Sequence, residues 1–515
     1  MTKKARVFTP VEGAKQEQKE GKMGHGSSNG GFRRRALALV MCLLVLFVGL
    51  VALPGLGSSP GEDEVQTPSL YPEEMLSLFP GGIFYPGNTQ YEFNFGTGIG
   101  FGDLYFEAIG LESLLGEDAI KVYDVIEGDF NEDGRTDLVV DVGKRRAGVC
   151  EKGERIHELY VLLNEGEGEF TLAPGSPIFW GCILSHQPSL TFPGVADLNG
   201  DGHLDVIGVD TDANVLILLF GKGDGSLELV RQEVPLELVP EEPYFGGVSV
   251  GDFNEDGCPD LLIHRQYGLI PMVNDGKGGF IRHGKTIVLS EPWPGYNVVA
   301  PIGPASVGAV ADFDRDGHLD VAVPHVVAEY FATWYSILYG NGRGDFEVVS
   351  SPGFIVQGTL SFEAADLNED GWIDLLGLPL IACSYVLYNQ GQRSFRIQPL
   401  GPGCWGGPIW EEGDGEDLLG DFNGDGYLDI AFFYAGNRDY APLWFHMPYY
   451  MYVLEGNGQG YFRLVWAGEI PRLYSVPCLV ADFDGDGLDD LVLGGQGISG
   501  EKQELTVFLS RVKEE

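Results

Sequence analysis

Basic residues are scarce in this chain, which has 32 Lys and Arg against 76 Asp and Glu and a formal net charge of −44. A nucleic-acid-binding protein needs a basic surface to meet phosphates, so this balance argues against that class. Histidine is also rare, at nine in 515 residues, and the nine are scattered. His157-Glu158 lacks the second His of a zinc-protease helix, so a zinc enzyme of that kind is not indicated.

Glycine and apolar residues are abundant instead. The chain has 76 Gly and 30 Pro, yet 44% of its residues are hydrophobic and 12% aromatic. Such a chain can bury a large core, and its frequent glycines predict many turns and short strands. Long helical bundles and coiled coils are disfavoured.

The first 90 residues differ from the rest. Residues 1–35 hold nine Lys and Arg and three Glu, and residues 36–53 are eighteen uncharged apolar residues. Such a segment is about 27 Å long as a helix, near the minimum that spans a bilayer, and its basic side should stay cytoplasmic. We expect a transmembrane signal anchor or a cleaved signal peptide, with the remainder extracytoplasmic. Residues 54–90 are predicted to be a linker rich in Pro, Gly and acid.

One acidic pattern, D-x-[DN]-x-D-G-x-x-D, recurs seven times at intervals of 54 to 68 residues. An apolar stretch follows each copy, and most copies are followed by a second strand that ends in a glycine-rich turn. Each repeat therefore predicts four strands, which can bury both faces only by stacking against neighbours. We predict an all-β fold over residues 91–515, a seven-bladed β-propeller of four-stranded blades. The last blade lacks a fourth strand at the C-terminus, and residues 91–109 could supply it and close the ring.

Side-chain oxygens at positions 1, 3, 5 and 9 of each pattern can surround one centre, and Gly at position 6 allows a sharp turn. Without a cation, three or four carboxylates would repel one another in each loop. Oxygen ligands in a flexible ring suit Ca²⁺ better than Mg²⁺. We predict up to seven structural Ca²⁺ ions, one per loop, although Asp-rich turns without metal are the simpler alternative. The predicted ligands are Asp129, Asn131, Asp133, Asp137, Asp197, Asn199, Asp201, Asp205, Asp252, Asn254, Asp256, Asp260, Asp312, Asp314, Asp316, Asp320, Asp366, Asn368, Asp370, Asp374, Asp421, Asn423, Asp425, Asp429, Asp482, Asp484, Asp486 and Asp490.

These repeats resemble FG-GAP/VCBS repeats, which build the propeller of integrin α-subunits and occur in many bacterial surface proteins. Residues 244–262, YFGGVSVGDFNEDGCPDLL, carry the resemblance best. It covers about residues 90–515 and implies Ca²⁺-binding hairpins on one face of a propeller. Here all seven repeats carry the acidic loop, whereas integrin α-chains have it in only some, and no other integrin domain is recognisable. The resemblance implies adhesion only weakly.

Two short motifs are better explained by the repeat. Residues 279–286 fit the P-loop pattern, but they begin in a glycine turn and continue into a strand-like segment, so no nucleotide site is expected. Arg343-Gly344-Asp345 spells the integrin-recognition tripeptide within a turn that every blade varies. His203 and His318 stand at position 7 of their loops, where the backbone and not the imidazole is expected to serve.

Cysteines and aromatic residues give further expectations. Parallel placement suggests two disulfides within blades, Cys150–Cys182 and Cys383–Cys404, with Cys258 and Cys478 as lone buried thiols. Aromatic residues cluster between the repeats, where they either pack between blades or form a stacking platform for sugars; they are Tyr244, Phe245, Trp293, Tyr296, Trp405, Trp410, Trp444, Tyr449, Tyr450 and Tyr452.

Together these features favour a membrane-anchored, non-catalytic binding or adhesion module at the cell surface or in the periplasm, or a secreted one if the N-terminal segment is cleaved. Its partner would be a glycan or a protein. One alternative is a polysaccharide lyase, because some lyases resemble this architecture and use Ca²⁺, although so acidic a surface should repel acidic polymers. Another is a structural component of an envelope complex.

Overall fold

The structure is a computed structural model, and it describes residues 99–100, 103–116, 118–144, 154–184, 190–210, 215–233, 245–265, 268–289, 308–327, 332–350, 356–357, 359–379, 385–400, 418–435, 449–470, 473–474, 478–497 and 503–513. The predicted linker, the basic segment and the apolar segment at 36–53 lie outside these residues. Within them, no helix is both long and apolar enough to cross a membrane.

Seven antiparallel sheets, one for each acidic repeat, make up the described chain. Each of blades 1 to 6 uses four consecutive strands. They are β3 (Ala119–Gly128), β4 (Asp137–Lys144), β5 (Glu154–Gly166) and β6 (Glu169–Leu172) in blade 1; β8 (Leu190–Ala196), β9 (Asp205–Asp210), β10 (Val215–Gly221) and β11 (Leu227–Glu233) in blade 2; β12 (Phe245–Gly251), β13 (Asp260–Arg265), β14 (Gly268–Asn274) and β15 (Phe280–Arg282) in blade 3; β16 (Ala309–Ala311), β17 (Asp320–Val327), β18 (Ala332–Gly340) and β19 (Phe346–Ser350) in blade 4; β21 (Thr359–Ala365), β22 (Asp374–Pro379), β23 (Tyr385–Asn389) and β24 (Phe395–Pro399) in blade 5; and β25 (Leu418–Gly420), β26 (Asp429–Ala435), β27 (Tyr449–Gly456) and β28 (Phe462–Ile470) in blade 6.

Blade 7 confirms the predicted closure of the ring. It contains β30 (Cys478–Ala481), β31 (Asp490–Gly497) and β32 (Gln503–Val512), and its outer strand is β2 (Leu104–Gly110) from the other end of the chain. The pairing of β2 with β32 is antiparallel, from Leu104 opposite Val512 to Gly110 opposite Thr506. Closure removes a free sheet edge from the last blade. A short helix, α1 (Glu112–Leu115), then leads into blade 1.

Short extra strands widen four of the blades beyond the four predicted strands. They are β1 (Ile99–Gly100) beside β28, β7 (Ile178–Leu184) beside β5, β20 (Val356–Gln357) beside β18, and β29 (Leu473–Tyr474) beside β31. In blades 1 and 4 the third strand is long enough to pair with two partners along its outer edge.

The hydrophobic core lies between the blades. The described residues form seven buried clusters, and each joins two neighbouring blades. Leu138 and Val140 of blade 1, for example, pack with Val492 and Val507 of blade 7. Because the second and third strands are apolar on both faces, each blade buries one face against each neighbour, as radial stacking requires. This packing fixes the seven acidic loops at one end of the ring.

Candidate metal centres

Each acidic loop connects the first strand of its blade to the second. In blade 4, β16 ends at Ala311 and β17 begins at Asp320, which is position 9 of the pattern. Position 9 therefore belongs to the loop and to the strand at once. In each of the other blades the second strand also begins at position 9, so the repeated residues occupy equivalent places in the seven blades.

Two positions in every loop have the left-handed backbone conformation. Gly at position 6 has φ between 84° and 93° in all seven loops, as in Gly317 at 93°. This confirms that Gly permits the turn. Position 4 also has positive φ in all seven loops, and four of these residues are not glycine: Glu132, Glu255, Arg315 and Glu369. Such residues cost free energy at that conformation, of about 1 kcal/mol or more.

Carboxylates and amides at positions 1, 3 and 5 organise the loop backbone. In loop 4 the amides of Asp316 and Gly317 donate to the two oxygens of Asp312, at 3.1 and 2.9 Å. Asp316 N also donates to Asp314 Oδ1 at 3.1 Å, and His318 N donates to Asp316 Oδ1 at 2.9 Å. Similar bonds recur around the ring, so the loops share one geometry.

Position 9 is buried in every loop, with at most 2% of the residue exposed. Asp320 accepts hydrogen bonds from Phe313 N and from Gly340 N, both at 2.8 Å, and so ties the loop to the end of the third strand. Burial raises the pKa of all seven of these carboxyls despite such bonds. The pKa is raised to about 6 for Asp137 and Asp260, to about 7 for Asp320, Asp374 and Asp490, to about 8 for Asp429, and is raised for Asp205.

The residues suit a divalent cation in two respects. In loops 4 and 7 the carboxylate oxygens of positions 1, 3 and 9 lie within 4.8 Å of one another; these are Asp312, Asp314 and Asp320, and Asp482, Asp484 and Asp490. The position-5 Asp is outside both groups. In loop 3 the amide of Phe253 donates to Gly251 O, and Asp260 Oδ2 is buried without a hydrogen-bond partner. A buried carboxylate oxygen without a donor is unstable alone and would be satisfied by a cation.

Neighbouring loops contact each other through positions 4 and 7. Glu132 of loop 1 bonds His203 of loop 2, Nδ1 to Oε1, at 2.5 Å, and Glu255 of loop 3 bonds His318 of loop 4 at the same distance. The guanidinium of Arg315 lies 4.2 Å from the ring centre of Trp372 in the next loop. These contacts explain why bulky residues occupy the strained position 4. The imidazoles serve the neighbouring loop and not their own.

A second link between blades was not predicted from the sequence. At the end of the third strand in blades 1, 3 and 5, an Asn side chain donates to the carbonyl of loop position 2 in the preceding blade. The bonds join Asn164 to Phe483 O, Asn274 to Leu198 O and Asn389 to Phe313 O, each at 2.8 Å. The only sequence signal was an Asn in VLLN, PMVN and VLYN, which the glycine turn had seemed to explain.

Blade 1 contains a buried polar cluster that was also not predicted. Lys144, 2% exposed, pairs with Asp118 Oδ1 at 3.0 Å and Glu158 Oε2 at 3.2 Å and bonds the Tyr160 hydroxyl. Burial alone would lower the pKa of Lys144, but these partners raise it overall. By register Lys144 lies seven residues along β4 from the loop, about 23 Å away, so the cluster is separate from the metal centre.

Blade 3 contains one match to a catalytic motif, which was not predicted. Gly247-Val248-Ser249-Val250-Gly251 does spell the G-x-S-x-G pattern, and Ser249 Oγ lies 2.9 Å from His264 Nε2. However, Ser249 stands within a strand, pairs with Leu262, and like His264 is fully buried. A nucleophile elbow requires a strand-to-helix turn that exposes the hydroxyl. Ser249 also donates to Gly308 O, and burial lowers the pKa of His264 to about 3, so the pair is a neutral structural contact.

The P-loop match and the Arg-Gly-Asp tripeptide both lie in regular strands and turns of their blades. The P-loop match occupies β15 and a turn whose Ile287 bridges back to Leu269, where a phosphate-binding loop would open a helix. The Arg343-Gly344-Asp345 turn joins β18 to β19, and Gly344 N donates to Phe253 O of the preceding blade at 2.9 Å.

Cys258 and Cys478 are free thiols, as predicted, but only Cys478 is buried and Cys258 is half-buried. Cys182 is disulfide-bonded, and the predicted partner Cys150 lies outside the described residues, as do Cys383 and Cys404.

Among the aromatic residues, Tyr452 is buried and stacks on Phe432 with ring centres 5.1 Å apart, which favours packing between blades there. Tyr244, Trp293, Tyr296, Trp405, Trp410 and Trp444 and the side chains of Phe245, Tyr449 and Tyr450 are not among the described groups.

Comparison with known proteins bears on the family. The FG-GAP-like repeat family matches residues 197–263 and 421–493, which span acidic loops 2, 3, 6 and 7. No curated protein matches the sequence. Among solved structures, a lectin from Agrocybe aegerita, described with recognition of non-reducing terminal N-acetylglucosamine, is 16% identical over 68% of this chain and 81% of its own, with a TM-score of 0.42. The rhamnogalacturonan lyase PL11 of Bacillus licheniformis is 12% identical over 78% of this chain and 75% of its own, with a TM-score of 0.38. The exotype rhamnogalacturonan lyase YesX is 13% identical over 78% and 72%, with a TM-score of 0.39.

Likenesses of that size carry no argument about function. The repeat match and the seven blades carry the assignment instead: the chain is a seven-bladed β-propeller that contains FG-GAP-like repeats at residues 197–263 and 421–493.

Proposed function

We propose that this protein is an extracytoplasmic, calcium-binding β-propeller that acts as a non-catalytic binding module for a glycan or a protein. We further propose that residues 36–53 anchor it to a membrane. The repetition of one oxygen-rich loop in all seven blades carries the proposal, because no single loop is set apart as a reaction centre would be.

Calcium is favoured by the donor set. The four ligand positions of the loops offer only carboxylate and amide oxygens, and the loops hold no His or Cys at these positions. Hard oxygen donors suit Ca²⁺, and the backbone carbonyl of position 7 could complete its coordination. The unpartnered Asp260 Oδ2 is the observation that points to a ligand in this type of loop. Residues at positions 1, 3, 5 and 9 would hold the ion, which would supply positive charge.

A structural role for calcium follows from position 9. Its carboxylate bonds the amides of the loop and of the third strand, so a cation held there would fix the hairpin to the sheet. An ion that binds only the folded chain stabilises it by mass action.

A ligand face is proposed at the end of the ring opposite the loops. The connections from second to third strand and from blade to blade leave the sheets at that end, since the strands are antiparallel. Trp293, Trp405, Trp410 and Trp444 fall in sequence between described strands and lie outside the residues that the structure describes. Flat apolar rings suit the faces of sugars, so these residues are proposed to contribute to the ligand face.

Two measurements test the proposal with the full-length chain. Elemental analysis after dialysis against calcium should find up to seven ions per chain, and chelation should lower the melting temperature. A chain without calcium, whose melting temperature chelation leaves unchanged, would refute the metal assignment. The calcium-loaded protein is then passed over immobilised glycans and envelope polysaccharides. Retention without cleavage supports the binding module, whereas cleavage of a polysaccharide would overturn it in favour of a lyase.

A further inference from the structure

Two arginines from outside the acidic loops contact predicted ligand carboxylates. Arg393, in the glycine turn of blade 5, places Nη2 2.8 Å and Nε 2.9 Å from Asp314 Oδ2 of loop 4. Arg511, on the third strand of blade 7, places Nη2 2.5 Å from Asp484 Oδ2 and Nη1 2.9 Å from Asp486 Oδ2 of loop 7. Asp314 and Asp484 are the position-3 residues of their loops.

Loops 4 and 7 are the two loops in which position 3 is Asp; the other five have Asn there. In loops 1 and 2 the Asn amide donates to the position-5 carboxylate, Asn131 to Asp133 and Asn199 to Asp201, both at 3.0 Å. An Asp at position 3 cannot donate when ionised. In loop 7 the guanidinium supplies that missing donor to position 5 and bonds position 3 as well.

The arginines also offset the additional charge at position 3. Counting positions 1, 3, 5 and 9 alone, four ionised Asp have a formal charge of −4, and one guanidinium brings the sum to −3, the value for three Asp and one Asn. The side chains of Asp314 and Asp484 are only 10% and 8% exposed, so these ion pairs are screened less than surface pairs. Loop 7 carries one more carboxylate, Asp489, but this group accepts a bond from the Asp421 amide of loop 6.

We propose that Arg393 and Arg511 set the calcium affinity of loops 4 and 7 by serving as built-in counter-cations. The inference rests on the proposed calcium function, for which the unpartnered Asp260 Oδ2 in the equivalent loop 3 is the independent sign of a ligand. In the empty loop the guanidinium faces the negative charges of the ionised carboxylates. In the occupied loop Ca²⁺ has already neutralised two of them. The arginine therefore stabilises the empty loop more than the occupied one, and by linkage it weakens calcium binding.

The test compares full-length parent, Arg511→Gln and the double variant Arg393→Gln with Arg511→Gln. Arg231→Gln is the matched control, because Arg231 is exposed on β11, the outer strand of blade 2, and by register with Ile217 and Gly208 it lies three residues along the sheet from Asp205 of loop 2. Retained calcium is measured by elemental analysis over a series of buffered free calcium concentrations. We expect the affected loops to keep their ions at about five- to tenfold lower free calcium, one loop in the single variant and two in the double. In chelator these variants should melt below the control.

A rescue variant covers the case in which Arg511→Gln does not fold without calcium. Asp484→Asn with Arg511→Gln recreates the Asn type of loop and should recover the melting temperature in chelator. Weaker calcium retention by Arg511→Gln would overturn the proposal and make the arginine a positioning residue for the ligands. Unchanged retention, or failure of the rescue, would reduce it to a structural ion pair and overturn the proposal too. Failure of the calcium function itself is distinguishable, because the parent would then bind no calcium at any concentration.

Discussion

In the absence of calcium, the free energy of unfolding of this propeller should fall as the pH rises from 5 to 7. The seven position-9 carboxyls are buried, and burial raises their pKa above that of an unfolded Asp, near 4. Between the two pKa values the folded chain binds more protons than the unfolded chain. Stability is therefore fully present below the unfolded pKa and is lost as pH rises toward the folded pKa.

The size of the effect follows from four carboxyls. Asp320, Asp374 and Asp490 have pKa values of about 7, and Asp429 of about 8. Raising the pH from 5 to 7 costs a little over 2 kcal/mol for each such group, or about 9 kcal/mol for the four. The entropy of unfolding of the roughly 310 described residues is about 0.65 kcal/mol/K, so the melting temperature should fall by about 14 °C.

Differential scanning calorimetry in chelator at pH 5, 6 and 7 measures this change, and the calcium-loaded protein is the control. Calcium binds the ionised carboxylates, so the loaded protein should lose little stability over the same range. Asp429→Asn should reduce the slope in chelator because it removes the group with the highest pKa. A melting temperature in chelator that is constant or rises from pH 5 to 7 would refute the reasoning, since the position-9 groups would then be ionised without an ion.

Three substitutions test the rest of the architecture by thermal or denaturant unfolding. Lys144→Met should destabilise the fold by about 3–5 kcal/mol, because Asp118 and Glu158 lose a buried partner, whereas Lys222→Met at an exposed pair should change stability by less than about 1 kcal/mol. Phe106→Ala on the closing strand should cost about 3–5 kcal/mol of stability, because the phenyl ring packs on Phe422 and Trp466. Tyr105→Ala on the exposed face of the same strand should cost much less, and equal effects would contradict the closure of the core by β2. Asn274→Ala should cost about 1–3 kcal/mol by leaving the buried carbonyl of Leu198 without its donor, and an unchanged midpoint would contradict that link.

The fold was predictable because its determinants repeat. Seven copies of one pattern gave the number of blades, and the missing fourth strand after Asp482 required a partner from the other end of the chain, which β2 provides. The loops were predictable for the same reason, since Gly at position 6 and Asp at position 9 occur in every copy. Residues that recur in every repeat indicate the structural features that all blades share.

What differs between blades was not predictable from the repeat. The Asn bridges occur in alternate blades, the polar cluster of Lys144 occurs in one, and the donors to Asp314 and Asp484 come from residues 79 and 27 positions away in sequence. These are contacts between partners brought together only by the ring. A single sequence cannot show which of many equally plausible polar residues meet.

The acidic loop and the buried core of each blade are connected at position 9. That residue closes the loop on one side and begins the buried second strand on the other, as Asp320 does between Phe313 and Gly340. A cation in the loop therefore acts on the core of its blade and not only on the surface. Three pairs of neighbouring loops also contact each other through positions 4 and 7, as Glu255 does with His318. Because every blade packs on two neighbours, loss of one ion should weaken the adjacent interfaces as well, and the ring should respond to calcium as a unit and not blade by blade.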